Sequence, residues 1–253
     1  MGIKRTLKLS MSTISLFYSC PAQYYFIKVL GFLPYDNIYA RKGKIMHSLI
    51  EWYEQNGKPS DWELQLGMLW DFRPLRISKE QEHQFFEDCI LMMRDYIYSK
   101  YSDDYSILYS ELRILDDELE FEGVIDSVRS DAFGKVNLID YKTGKFLLGN
   151  HDQQLKFYAM LYYRKYGILP QKGVVWFLRN SFIEEVDYEM QDVINAEKYI
   201  RETRELIRNS NFEPNVTKNC FFCGFKNLCG VNDGNGQAGI KRTKVDEFTT
   251  KEG

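Results

Sequence analysis

The amino-acid sequence predicts an α/β fold in which a central sheet is flanked by helices. Residues 107–141 contain three runs that alternate apolar and polar side chains, the period of a strand with two unlike faces. Before and after them lie longer stretches whose apolar residues recur at three and four positions, the period of one helix face. The chain has 253 residues, 44% of them apolar, enough to fill the core of one sizeable domain.

Taken in order, an amphipathic helix spans 13–25, opening after Ser12 or Ser15, and a second spans 39–55, where Asn56-Gly57 and Pro59 stop it. Residues 60–101 are helical again, with Ser78 placed to cap a long helix through Cys89 and Met93 to Tyr98. This stretch is read as a helical insertion that serves as a lid. Strands follow at 107–115, 119–128 and 136–141, then a helix from His151 or Asp152 to Tyr166, closed by Gly167. Strands at 173–178 and 183–188 and a helix over 190–209 complete the pattern. There is no internal repeat. The expected organisation is one domain over 1–230, followed by a mobile tail at 231–253 rich in Gly, Asn, Lys and Thr.

The second and third strands carry the chemistry. Gly123-Val124-Ile125-Asp126 lies on one, Ile139-Asp140-Tyr141-Lys142-Thr143-Gly144-Lys145 on the other, with a polar turn around Asp131 and Gly134 between them. Asp140 and Lys142, two residues apart, project from the same face, and hairpin pairing brings Asp126 alongside. Two carboxylates so placed can share a divalent cation, with an ammonium beside them for a water or a phosphate. A single strand acid is usually a solvated carboxylate, but Asp140 stands between Ile139 and Tyr141, where an unpaired charge is costly.

These segments resemble the PD-(D/E)xK nuclease superfamily, in particular its RecB-like exonuclease branch, whose signature is Gly-x-x-Asp followed by Asp-Tyr-Lys-Thr-Gly-Lys. Gln154-Leu155-Lys156-Phe157-Tyr158 resembles the branch's Gln-x-x-x-Tyr motif, and Gly43-Lys44-Ile45-Met46-His47 its histidine-bearing helix. The resemblance implies a restriction-endonuclease-like core with a central mixed sheet. It implies catalytic roles for Asp126, Asp140, Lys142, Gln154 and Tyr158, and a Mg2+ or Mn2+ site formed by His47, Asp126, Asp140 and the Tyr141 carbonyl. Glu111 occupies a position where related nucleases often carry an acid, though a solvated strand-edge glutamate is an equal reading. His83 and His151 lack such context and are read as structural or surface residues.

Cys220, Cys223 and Cys229 form a C-x2-C-x5-C cluster, with Cys20-Pro21 far upstream. Thiolates suit zinc and iron–sulfur clusters alike, so spacing alone leaves the metal open. Similarity to the AddB-type nucleases and the CRISPR-associated single-domain exonucleases implies a 4Fe-4S cluster held by Cys20, Cys220, Cys223 and Cys229, which ties the N- and C-terminal segments together. Cys89 is read as a small buried apolar residue.

The five cysteines, four in ligand-like positions and without a leading apolar signal segment, are expected of a reducing, cytoplasmic setting, and no apolar run is long enough to cross a membrane. The formal charge of −3 does not favour nucleic acid globally, but a nuclease needs only a locally basic groove. Arg41, Lys42, Lys44 and Lys145 are candidates to line it. The resemblance implies DNA as substrate, mainly single strands or DNA ends, in CRISPR spacer acquisition or in repair and recombination, with integrase or helicase partners conceivable. The rivals are a partner-dependent end processor, a zinc-stabilised regulatory protein, which would lack the brown colour of an iron–sulfur cluster, and a non-catalytic DNA-binding adaptor; a broken Asp, Asp, Lys set would mark the adaptor, and here the set is intact.

Overall fold

The computed structural model describes residues 8–33, 38–72, 77–99, 105–144 and 151–229. Lys145 and the 231–253 tail lie outside the described residues. The chain divides into two compact units, one of residues 36–200 and one joining Met1–Tyr35 to the stretch from Arg201 onward.

The larger unit holds a five-stranded sheet in the order β1 (Ser106–Asp116), β2 (Phe121–Ser130), β3 (Val136–Lys142), β4 (Lys172–Phe177), β5 (Phe182–Asp187). β3 and β4 are parallel and every other neighbouring pair is antiparallel, so the sheet is mixed. The central strands β3 and β4 are buried almost throughout, as expected where helices cover both faces. The 131–135 turn between β2 and β3 is fixed by Asp131, whose Oδ1 accepts from the Phe133 and Lys135 N–H groups at 2.8 and 2.9 Å.

Three helices with local stop and start signals pack on one face of this sheet: α3 (Ile38–Gln55), α4 (Trp62–Leu69) and α5 (Lys79–Ile97). Gly57, at φ 74°, lets the chain turn after α3. Ser78 caps α5 in a reciprocal box: its Oγ accepts from the Gln81 N–H, and its own N–H donates to Gln81 Oε1, both at 3.2 Å. Leu66, Cys89, Met92, Met93 and Tyr96 are fully or almost fully buried and share one apolar core with Leu49 of α3 and Ile139, Tyr141 and Trp176 of the sheet. The expected lid is therefore corrected. Helices α4 and α5 are a wall of the core, because their apolar stripes are wide enough to bury against the sheet. Burial pushes the Cys89 thiol up to about 12, in keeping with a packing role.

On the opposite side lies α6 (His151–Tyr166), which crosses from β3 to β4 and contacts β1, β2, β3 and β4. It is closed by Gly167 at φ 71°, whose N–H donates to the Tyr163 carbonyl at 2.7 Å. Two strand glycines let backbone and side chains approach closely. A Cβ on Gly123 would come within 2.8 Å of Leu161 Cδ1 and 3.3 Å of Tyr158 Cε1, and one on Gly173 would run into the Tyr188 hydroxyl oxygen. α7 (Met190–Arg208) begins in this unit, where Arg164 of α6 holds Glu197 at 2.9 Å.

In the smaller unit, α1 (Met11–Ser19) opens on a Ser10–Thr13 capping box and α2 is Pro21–Tyr24. The single helix expected over 13–25 is broken at Cys20, which is extended at φ −159°, because a residue preceding proline is driven out of the helical region. A five-residue π-helix, Tyr25–Val29, follows directly. Aromatic rings join this segment to the C-terminal one: Tyr24 stacks on Phe212 at 6.1 Å and Phe26 on Phe225 at 5.5 Å between centroids. A 3-10 turn (Lys218–Phe222) and α8 (Lys226–Cys229) complete the description.

Gly173→Ala should destabilise the larger unit by about 1–3 kcal/mol, because Tyr188 is buried and tethered by its hydroxyl to the Leu155 carbonyl and has no room to yield. Denaturant unfolding measures this, and an unchanged midpoint would refute the close contact.

Candidate active site

Three adjacent strands deliver one carboxylate each. The β1–β2 ladder pairs Ser110 with Ser127 and Leu112 with Ile125, which sets Glu111 across from Asp126. The β2–β3 ladder runs to Ser127 opposite Ile139, one residue short of Asp126 and Asp140. Glu111, Asp126 and Asp140 thus follow one another across the sheet. Glu111 is at φ 51°, a left-handed conformation costly for a residue with a Cβ.

His47 comes from α3. Its Nδ1 is 3.2 Å from Asp126 Oδ1 and 3.6 Å from Glu111 Oε1. Its Nε2 lies 3.1 Å from the Tyr141 carbonyl, which can only accept, so Nε2 carries a proton in the metal-free protein. Gly43, one turn earlier on α3, lies beside Thr143, whose Oγ1 would be in ordinary contact with an added Cβ at 3.4 Å. His47, Glu111 and Asp126 offer one ligand atom each within 4.8 Å of one another, the one such His, Cys, Asp or Glu group among the described residues. Imidazole and carboxylate donors so gathered fit a divalent cation. The Tyr141 N–H also donates to Asp126 Oδ2 at 2.7 Å, fixing that carboxylate.

Asp140 faces α6. Its Oδ1 accepts from Gln154 Nε2 at 2.9 Å, and Lys142 Nζ lies 2.6 Å from Oδ2, a close ion pair without the alignment of a hydrogen bond. Gln154 also donates to the Tyr158 hydroxyl at 2.7 Å and accepts from Lys142 Nζ at 3.0 Å. An ammonium only donates and a carboxylate only accepts, so the amide has one orientation. Gln154 and Tyr158 therefore hold Asp140 and Lys142 in place from one helix face.

The electrostatics follow from crowding carboxylates in a buried place. Burial, and then the negative charge of Asp126, push Asp140 up to about 6, against the opposing pull of Lys142 and His47. For His47, burial acts downward, but the hydrogen bonds to Asp126 and Glu111 and the charges of Asp126 and Asp140 outweigh it and raise the group to about 10. Burial, with Asp140 and Asp126 next, holds the Tyr158 hydroxyl neutral.

A family model described as the PD-(D/E)XK nuclease superfamily matches residues 8–230. The chain belongs to that superfamily. Among solved structures, one from Eubacterium rectale named a "putative exonuclease" aligns over 97% of this chain and 94% of its own at 10% identity, with a TM-score of 0.56; this is a likeness of fold. A second, SSO0001, covers 83% of this chain and 94% of its own at 16% identity and a TM-score of 0.36, too distant to carry an argument. No curated protein matches the chain.

The sequence motifs of this nuclease-superfamily chain thus meet at one place: His47, Asp126, Asp140, Tyr141, Lys142, Gln154 and Tyr158. Glu111, whose part the sequence left open, joins them because of the β1–β2 register and its left-handed backbone. Lys42 is a correction. It is buried, 3.3 Å from Asp88 and over the Phe85 ring, so it cannot line a DNA groove. Arg41 donates to the Asp71 carbonyl, whereas Lys44 is exposed. His83 is exposed, and His151 packs edge-on against Phe177. In the smaller unit, Cys20, Cys223 and Cys229 gather around Ala22, Phe26 and Phe225, and the Cys223 N–H donates to the Cys220 carbonyl at 3.2 Å, but no three of these sulfurs come within 4.8 Å of one another.

The His47 shift sets the sign of a pH dependence. Its folded value, about 10, is above the unfolded value near 6.5, so its contribution to metal-free stability is complete below about pH 6.5 and lost as pH rises through about 10. A cation must displace that proton. Mn2+ binding at pH 8 should release close to one proton in the natural protein and measurably less in His47→Gln, as read by calorimetry in buffers of different ionisation enthalpy; equal release would refute the assignment.

Proposed function

We propose that this protein is a metal-dependent DNA exonuclease acting on single strands and DNA ends, in CRISPR spacer acquisition or in repair and recombination. The observation that carries the reading is the convergence of Glu111, Asp126, Asp140 and His47 beside a lysine held by Gln154. The name of the fold relative supports exonuclease action, and the intact acid and lysine set favours an enzyme over an adaptor.

His47, Glu111, Asp126 and Asp140 would hold Mg2+ or Mn2+, joined by the Tyr141 carbonyl, which accepts from His47 Nε2 in the metal-free protein. A histidine in the set makes Mn2+ the more welcome ion. Such a cation supplies Lewis acidity and neutralises charge on a phosphodiester. Lys142, steadied by Asp140 and Gln154, presents its ammonium to the phosphate and orients the attacking water. One P–O bond forms to that water and one P–O bond to the leaving oxygen breaks. Gln154 and Tyr158 keep the lysine and carboxylate aligned through the reaction.

Cys20, Cys220, Cys223 and Cys229 would hold a 4Fe-4S cluster that fastens the N- and C-terminal segments of the smaller unit. Cys20, Cys223 and Cys229 share one patch with Ala22, Phe26 and Phe225, which supports the reading.

Lys142→Ala should lower cleavage of end-labelled single-stranded DNA by about 10²-fold or more with Mn2+ present and leave the melting transition in place; full activity in a pure preparation would sink the catalytic role. Cys223→Ala should lose iron, visible colour and thermal stability together. Full stability in an iron-free natural protein would overturn the cluster.

A further inference from the structure

Arg129 is completely buried, and its partners account for its charge. Nη2 donates to Glu54 Oε1 at 2.9 Å, to the Tyr96 hydroxyl at 2.9 Å and to the Tyr141 hydroxyl at 2.8 Å, while Nε donates to Ser127 Oγ at 3.3 Å. Glu54, whose side chain is 1% exposed, accepts at Oε1 from the Tyr96 and Tyr141 hydroxyls at 2.5 and 3.2 Å, and at Oε2 from Ser110.

The partners are not scattered. Ser110 precedes Glu111 on β1, Ser127 follows Asp126 on β2, and Tyr141 follows Asp140 on β3. Neighbouring residues of a strand point to opposite faces, so each strand gives one residue to the carboxylate site and the next to the Arg129 centre behind it. Glu54 and His47 are seven residues apart on α3, two turns along one helix face. Every segment that delivers a metal-site group is thus gripped, at an adjacent or same-face residue, by one buried ion pair. Tyr141 joins the two sides directly: its N–H holds Asp126, its carbonyl holds His47, and its hydroxyl belongs to the Arg129 centre.

A buried ion pair is poor evidence for a stabilising device, since packed apolar residues often replace one at no loss. We infer that Arg129 and Glu54 are positioning residues, which lock α3 to β1, β2 and β3 and thereby set the spacing of His47 from Asp126 and Glu111 for cation binding. The inference rests on the proposed metal-dependent reading of that site.

The test compares Arg129→Met/Glu54→Leu with the natural chain. Thermal melting should remain cooperative and close to natural, Mn2+ affinity by calorimetry should fall about 10- to 100-fold, the range for partners behind metal ligands, and the His47 Nδ1 to Asp126 Oδ1 separation in a crystal should exceed 3.2 Å. The KM for DNA should change little. A folded double variant with natural Mn2+ affinity and unchanged His47 geometry overturns the inference. Should the double variant not fold, Tyr141→Phe keeps the ring and the ion pair and removes only the link; weaker Mn2+ binding supports the inference and natural affinity overturns it. The crystallographic separation keeps the two claims apart: a widened His47–Asp126 gap supports positioning even where the natural chain neither binds Mn2+ nor cuts DNA, which would sink the functional reading alone.

Discussion

Carboxylates brought together away from bulk water repel one another, and the larger unit is organised around compensating that repulsion. Asp126 and Asp140 are both buried, and Asp140 is held to about 6 by burial and by its neighbour's charge. Each acid is therefore answered locally. His47 faces Asp126 and Glu111, Lys142 faces Asp140, and the Tyr141 and Gln154 N–H groups supply further donors. In the proposed metal-dependent reading, a divalent ion would replace the imidazolium proton and neutralise several carboxylate oxygens at once. Close approach makes the arrangement feasible. Gly123 lets Tyr158 and Leu161 of α6 lie on β2.

Behind this charged face is a second, self-sufficient one. Arg129 and Glu54 neutralise each other on the α3 and α5 side of the sheet, and tyrosine and serine hydroxyls bond to both. The same strands serve both faces through alternation alone. The helices first read as a lid are part of this construction, since Tyr96 of α5 belongs to the buried network and Met92 and Met93 to the core beneath it.

The smaller unit follows a different logic. It has no sheet among its described residues and draws the two ends of the chain together through stacked aromatic rings and a patch containing three of the four motif cysteines. Pro21 shapes it: by ending α1 at Cys20 it places that thiol at a helix junction rather than within a continuous helix.

Local periodicity, capping chemistry and short spacing make the α/β class, the five strands and their order along the chain, the Ser78 cap and the Asp, Asp, Lys set legible in the residues alone. Tertiary structure decided what depends on partners far along the chain. Glu111 became a site residue only through its register with Asp126 and its left-handed φ, and local pattern specifies neither. Lys42 looked like a groove cation, but the burial of a helical lysine is set by the helix that packs over it, here α5 with Asp88 and Phe85. Arg129 lies just past the strand expected over 119–128 and carries no local mark of burial; covering helices make its surroundings an interior, where an arginine persists because Glu54, seventy-five residues earlier, meets its charge.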